Sequence, residues 1–122
     1  MLRKTAAGVT FALALTSTAQ AQTILTAETS SPNTAPGISI ISLSEAAAKA
    51  GIADVQVTSG QTLTNSVQNV AEGKTDIAAA PFILPFLLNR GVGPYASLGA
   101  EKGAELAANL ACLLYTSDAA DD

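Results

Sequence analysis

Apolar positions along the chain change their period several times, and each change marks an element. Thr23 to Ala27 is a short β-prone run. The stretch Glu28 to Gly37 is dense in hydroxyls, Pro and Gly, and predicts a loop. From Ile38 to Ala50, Ile40, Leu43, Ala47 and Ala50 recur at helical spacing, and Gly51 is placed to stop the helix. Ser42 and Glu45 have the spacing of a capping box, at the start of that helix or inside its first turns. Val55 to Thr58 alternates with period two, as a strand does. A polar turn, Ser59 to Thr62, leads into Leu63, Val67, Val70 and Ala71, the i, i+4, i+7, i+8 stripe of an amphipathic helix that stops at Gly73. Ile77 to Ala80 predicts a small buried strand, and Pro81 to Leu88 a strand exit and a short helix limited by two prolines. Gly91 to Tyr95 predicts a loop, and Ala100 to Ala111 a last helix broken by Gly103. Strand, helix, strand, helix, strand with short links predicts an α/β fold, a parallel sheet covered by helices through right-handed crossovers.

The first residues change what the mature chain contains. Met1 to Lys4 is a short basic region, Thr5 to Leu15 an apolar run too short to span a bilayer, and Ala19-Gln20-Ala21 a small-x-small site. Residues 1–21 therefore predict a signal peptide cut before Gln22, and a periplasmic product. No later apolar stretch approaches the ~20 residues of a membrane span. The lone cysteine, Cys112, lies far from that cut, which excludes a lipid-anchored form, and one thiol makes no internal disulfide. Residues 112–122 resemble a translated sequencing adapter, so a non-native tail is expected there and the natural protein is expected to continue past Leu110.

Charge narrows the partners. Without Arg3 and Lys4, four basic residues (Lys49, Lys74, Arg90, Lys102) face ten acidic ones, a net charge of −6. A nucleic-acid partner is excluded, because phosphate neutralisation needs clustered Lys and Arg. No histidine occurs anywhere, so the usual proton shuttle is missing, and no Cys/His cluster offers a zinc site. Glu72-Gly73-Lys74-Thr75 contains the Gly-Lys-Thr of a phosphate loop, but Gln68 stands where the first glycine belongs, and the segment closes a helix instead of opening one. No Ser-x-x-Lys pairing supplies a nucleophile with a base. These residues predict neither an enzyme nor a cofactor or metal.

Two polar turns carry more information. Both leave the carboxyl ends of predicted strands, where ligands of open α/β sheets bind, and both lead into helix N-termini, whose free N–H groups suit a carboxylate. The candidate ligand-binding residues are Thr29, Ser30 and Ser31 in the first, and Ser59, Gly60, Gln61, Thr62 and Asn65 in and after the second. The competing role for the hydroxyls among them is to cap helices and satisfy turns.

The segment from Val57 to Val67, then Val70 to Ala78, resembles the TAXI family of TRAP-transporter receptors. That family has a strand ending in a Thr-Gly-Gly-Ser-like turn, an Asn-containing helix, and an Ala-x-Gly-x-x-Asp-hydrophobic-Ala strand entry. The likeness covers about Thr23 to Leu110. Ile24 to Gly37 stands where the family has a Thr-Gly-Gly-rich loop and a Tyr-Tyr pair, but here the loop carries Ser30-Ser31-Pro32-Asn33 and no tyrosine. Gln61 replaces the second glycine of the turn. The resemblance implies a type II-like, two-lobed periplasmic binding protein, of which residues 22–111 are the N-terminal part of lobe one. It implies capture of a small organic anion, a carboxylate or amino acid, for delivery to an integral-membrane TRAP permease. Alternatives are the receptor of an ATP-driven importer, or a periplasmic α/β hydrolase with its catalytic residues further on. With part of the lobe missing, Ile77 to Leu88 is expected to be partly uncovered and the fragment marginally stable.

Overall fold

The computed structural model describes residues 22–111. The expected signal peptide and the expected foreign tail lie outside the described residues. Strands and helices alternate: β1 (Thr23–Glu28), α1 (Ala35–Lys49), β2 (Ala53–Thr58), α2 (Leu63–Ala71), β3 (Ile77–Ala78), α3 (Ile83–Arg90) and α4 (Gly99–Ala107), with a 3-10 turn at Gly93–Tyr95 before α4. The three strands form one parallel sheet in the order β2-β1-β3. Leu25 lies opposite Val55 and Glu28 opposite Thr58 on one side of β1, and Ala27 opposite Ile77 on the other. The fold is α/β with a parallel sheet, as the alternation of elements predicts.

Period-two alternation sorts each strand's side chains onto two faces, and the packing follows it. Leu25, Ala27, Ala53, Val55, Ile77 and Ala79 gather on one face with Ile40 and Ala47 of α1. A second core, Val67, Ala71, Leu88, Tyr95 and Leu106, joins α2, α3, the 3-10 turn and α4, with Ala80 packed against it. Polar contacts tie β1 to that unit and to the entry of β3. Asn69 of α2 donates to both carboxylate oxygens of Glu28 (3.2 and 3.1 Å). Asp76 accepts from the Thr26 N–H (2.8 Å) and from its hydroxyl (3.0 Å).

The free edge of β2 is blunted from α1. Thr58 points its carbonyl at Thr29 N–H in β1's continuation (2.9 Å), so alternation turns the carbonyl of Val55 away from β1. Ser44 donates its hydroxyl to that oxygen (2.9 Å). Covering an outward carbonyl in this way removes an acceptor that a foreign strand would use.

Several boundaries differ from expectation. The helix expected from Ile38 begins at Ala35, because Thr34 is extended (φ −95, ψ 160) and its hydroxyl accepts from Gly37 N–H, while Pro36 sits in the first turn where no donor is needed. Ser42 and Glu45 therefore lie inside α1 and form no cap. Leu43 and Ala50, expected on the apolar face, are exposed, whereas Ile40 is buried. Strand β2 starts two residues before Val55. The strand expected over Ile77–Ala80 keeps only Ile77–Ala78, and Ile77 to Ala80 are half-buried, not buried. Phe82, Ile83 and Phe86 are exposed and Leu88 is fully buried, so Pro81 to Leu88 is partly uncovered. Pro85 falls in the first turn of α3 and leaves that helix intact.

Gly103, expected to break the last helix, sits inside α4 and is buried. A Cβ there would lie 2.2 Å from the carbonyl oxygen of Leu88. Tertiary contact overrides local propensity: the missing side chain lets α4 lie directly against the end of α3.

Candidate functional site

The first three helices start at one edge of the sheet. Each follows a strand, α1 after β1, α2 after β2 and α3 after β3, so their N-termini share the edge formed by the strands' carboxyl ends. The chain enters α1 and the α2–α3 unit on opposite faces, since the two cores lie on opposite sides of the sheet. Connections leaving β1 and β3 to opposite faces open a crevice between those strands, the usual ligand position in a sheet of this order.

Backbone hydrogen bonds stitch the first two turns together. Gly60 N–H donates to the Ser30 carbonyl (2.9 Å), and Gln61 N–H to the Thr29 carbonyl (3.2 Å). Gly60 reaches that position with φ +92, a conformation that L side chains rarely adopt. The polar turns expected to act together are thus adjacent. The same bonds engage the amides of Gly60 and Gln61 with the neighbouring loop.

Open donors lie one step further along. In α2, Thr62 caps the helix, its hydroxyl accepting from Asn65 N–H (3.2 Å) and its carbonyl from Ser66 N–H (2.9 Å). That leaves the Leu63 and Thr64 amides as first-turn donors with no intrahelical partner. In α1 the corresponding positions are Ala35 and Pro36, and Pro36 has no N–H to offer, while Gly37 N–H is held by Thr34 as Asn65 N–H is by Thr62. In α3 the corresponding positions are Ile83 and Leu84, and Leu84 N–H is taken by the Pro81 carbonyl (3.0 Å), so α1 and α3 each keep one such donor where α2 keeps two. Helix α2 therefore offers the best-placed donors of the three.

No acidic side chain occupies the first turn of α1, α2 or α3. Acidic residues are favoured there by the helix dipole, and the described chain holds seven of them (Glu28, Glu45, Asp54, Glu72, Asp76, Glu101, Glu105) against four basic. Glu28, at the end of β1, is turned toward Asn69. The positive ends of three helices are thus left without an internal anion at one edge of an acidic molecule.

The remaining candidates divide by burial. Thr29 is 0 % exposed and its hydroxyl has no hydrogen-bond partner among the described residues. Ser66, one turn into α2, is equally buried and its hydroxyl is also unpartnered. Ser30, Ser31 and Gln61 are half-buried, and Ser59, Gly60, Thr62 and Asn65 are exposed. Ser31 shapes the first loop: its carbonyl accepts from Thr34 N–H (3.2 Å) and from the Thr34 hydroxyl (2.7 Å). That oxygen would lie 1.9 Å from a Cβ on Gly37. Gly37 is therefore part of the loop's construction, which its place in a Pro-Gly pair hides behind an ordinary turn signal.

Two further residues bear on the site from a distance. Tyr95 is 1 % exposed and donates its hydroxyl to the Thr64 carbonyl (2.9 Å). Burial raises its pKa above the usual 10.0. Asn109 donates to the Ala71 carbonyl at the other end of α2 (3.0 Å). Nothing in the spacing of the sequence marks either, since each acts across more than thirty residues.

The Gly-Lys-Thr segment closes α2. Glu72 caps it, Gly73 is left-handed (φ 73), and Lys74 pairs with Glu72. Hydrogen bonding from Gln68 and then Lys74 lowers the pKa of Glu72. Among the described residues, no group of three or more His, Cys, Asp or Glu is placed to hold a metal, and no helix is long and apolar enough to cross a membrane. Searches of family models, of curated proteins and of solved structures gave no match to this chain.

Proposed function

We propose that this chain is the solute-binding component of a transport receptor that captures a small organic anion, a carboxylate or an amino acid. The observation that carries the reading is electrostatic. Three helix N-termini meet at the carboxyl edge of the sheet, none has an acidic residue in its first turn, and the Leu63 and Thr64 amides are open. An anion placed there meets fixed donors and the positive end of a dipole. The unpartnered hydroxyl of Thr29, buried beside the same turns, adds a polar group whose burial costs free energy unless it is hydrogen-bonded. Periplasmic location and delivery to an integral-membrane TRAP permease rest on the signal-like N-terminus and on the TAXI likeness.

The test replaces one atom type. Asn65→Asp adds a carboxylate in the first turn of α2 with almost no change of shape. For the helix alone this is favourable by roughly 0.3–1 kcal/mol. For a bound anion it is repulsive, and affinity for acetate or L-glutamate, measured by calorimetry, falls at least tenfold, or about 1.4 kcal/mol. Stability that holds while affinity collapses is the expected result. Equal affinity in both proteins would remove α2 from the site.

A further inference from the structure

The open amides of Leu63 and Thr64 belong to the first turn of a helix of only nine residues. A helix this short is marginal by itself, and its ends fray. Its donors are useful to a ligand only if the turn is held still before binding, since ordering it at that moment would cost affinity.

Two side chains from the downstream unit hold the two ends of α2. Asn109 grips the last turn through the Ala71 carbonyl (3.0 Å). Tyr95 grips the first through the Thr64 carbonyl (2.9 Å). The Tyr95 ring is anchored in the core formed with Val67, Ala71, Leu88 and Leu106, and the 3-10 turn that carries it is fixed by Tyr95 N–H on the Val92 carbonyl (3.2 Å) and Leu98 N–H on the Tyr95 carbonyl (3.0 Å). Thr64 is thus the residue where a rigid buried phenol meets the turn that presents the donors. A peptide plane whose carbonyl is fixed from below also fixes the N–H of the next residue and limits rotation of its own.

We propose that Tyr95 is a positioning residue for the anion site, setting the first turn of α2 through its hydroxyl. This rests on the anion-binding reading above. It assigns a role to a residue that touches no ligand and lies outside both turns.

Tyr95→Phe removes the hydroxyl and keeps the ring, and Asn109→Ala removes the equivalent tie at the far end of the same helix. Both lose one hydrogen bond to a carbonyl of α2, so each is a control for the other's effect on stability. Amide hydrogen exchange at Asn65 and Ser66, whose N–H groups bond Thr62, reports the first turn directly. The expected result is at least fivefold faster exchange at these two amides in Tyr95→Phe, and L-glutamate affinity lowered about five- to tenfold. Asn109→Ala lowers stability comparably but leaves affinity within twofold. Equal loss of affinity in both variants reduces Tyr95 to a structural tie, and so does unchanged exchange at Asn65 and Ser66. If the unaltered protein binds neither acetate nor L-glutamate, the anion reading fails and takes this role with it. If Asn65→Asp abolishes binding while Tyr95→Phe does not, only the positioning role fails.

Discussion

Gly103→Ala sets two effects of opposite sign against each other. In an exposed helix interior the exchange favours the helix by up to about 1 kcal/mol, because glycine loses more backbone entropy and alanine is the best helix former. Here the added methyl would stand 2.2 Å from the Leu88 carbonyl oxygen, 3.0 Å from Gly91 N and 3.1 Å from Gly91 Cα. All three are backbone atoms at the end of α3, where Gly91 N–H already bonds the Leu88 carbonyl (3.0 Å). They cannot swing aside as a flexible side chain would. Reaching ordinary contact requires α4 to retreat by roughly 1 Å, and Leu88 and Leu106, both buried in the shared core, lose contact as it does. Overpacking of this kind costs about 1–3 kcal/mol, occasionally more. Since the clash is with main chain, the upper part of that range applies, and after the propensity gain the net loss is about 1–2 kcal/mol. For a domain of this size that lowers Tm by roughly 5–15 °C. Ala104→Gly, at an exposed position in the same helix, isolates the propensity term and costs about 1 kcal/mol. Thermal unfolding followed by circular dichroism of both variants is the assay. A Gly103→Ala protein as stable as its parent, or more so, would refute the close approach of α3 and α4.

Ser44→Ala leaves the Val55 carbonyl uncovered at the edge of β2; stability falls by about 1 kcal/mol, and light scattering during refolding rises relative to an exposed serine control such as Ser42→Ala. The alkaline limb of stability reports Tyr95: its folded pKa is raised above 10.0 by burial, so its contribution is fully present below pH 10 and is lost as pH rises through the folded value. Tyr95→Phe flattens that limb above about pH 10 in chemical-denaturation profiles, and an unchanged slope would mean that the phenol ionises as freely folded as unfolded.

How much of this was readable in the chain follows from the range of each signal. Glycines and polar turns near strand ends act within a few residues, so β1, β2, α2 and the parallel α/β plan are visible in the pattern alone. The adjacency of the two turns is implied by parallel topology, but the pairing of Gly60 and Gln61 amides with Ser30 and Thr29 is a cross-loop event that no local pattern encodes. Gly103 misleads because the same residue that weakens an exposed helix permits close packing in a buried one. Leu43 misleads in the opposite way, being apolar at helical spacing on a face that nothing in the described chain covers. Tyr95 and Asn109 are invisible for the plainest reason: a buried hydrogen bond to a helix carbonyl has no sequence motif.

The Asp76 carboxylate, which ties Thr26 across fifty residues, also marks the seam at which two parts of the chain meet in folding. Strand β1 is the central strand, yet its second side gains a partner only when β3 arrives. Before then β1, α1 and β2 can assemble, as contacts closer in sequence close at lower entropic cost. Helices α3 and α4, neighbours in the chain, can pair separately. Joining the two units is the step of largest loop closure, and Asp76 lies at that joint. Weakening its grip on Thr26 should therefore slow the late docking step more than it speeds unfolding, which stopped-flow chevrons would read as a high φ-value at the seam, alongside the high values of the contacts within each half that form before it.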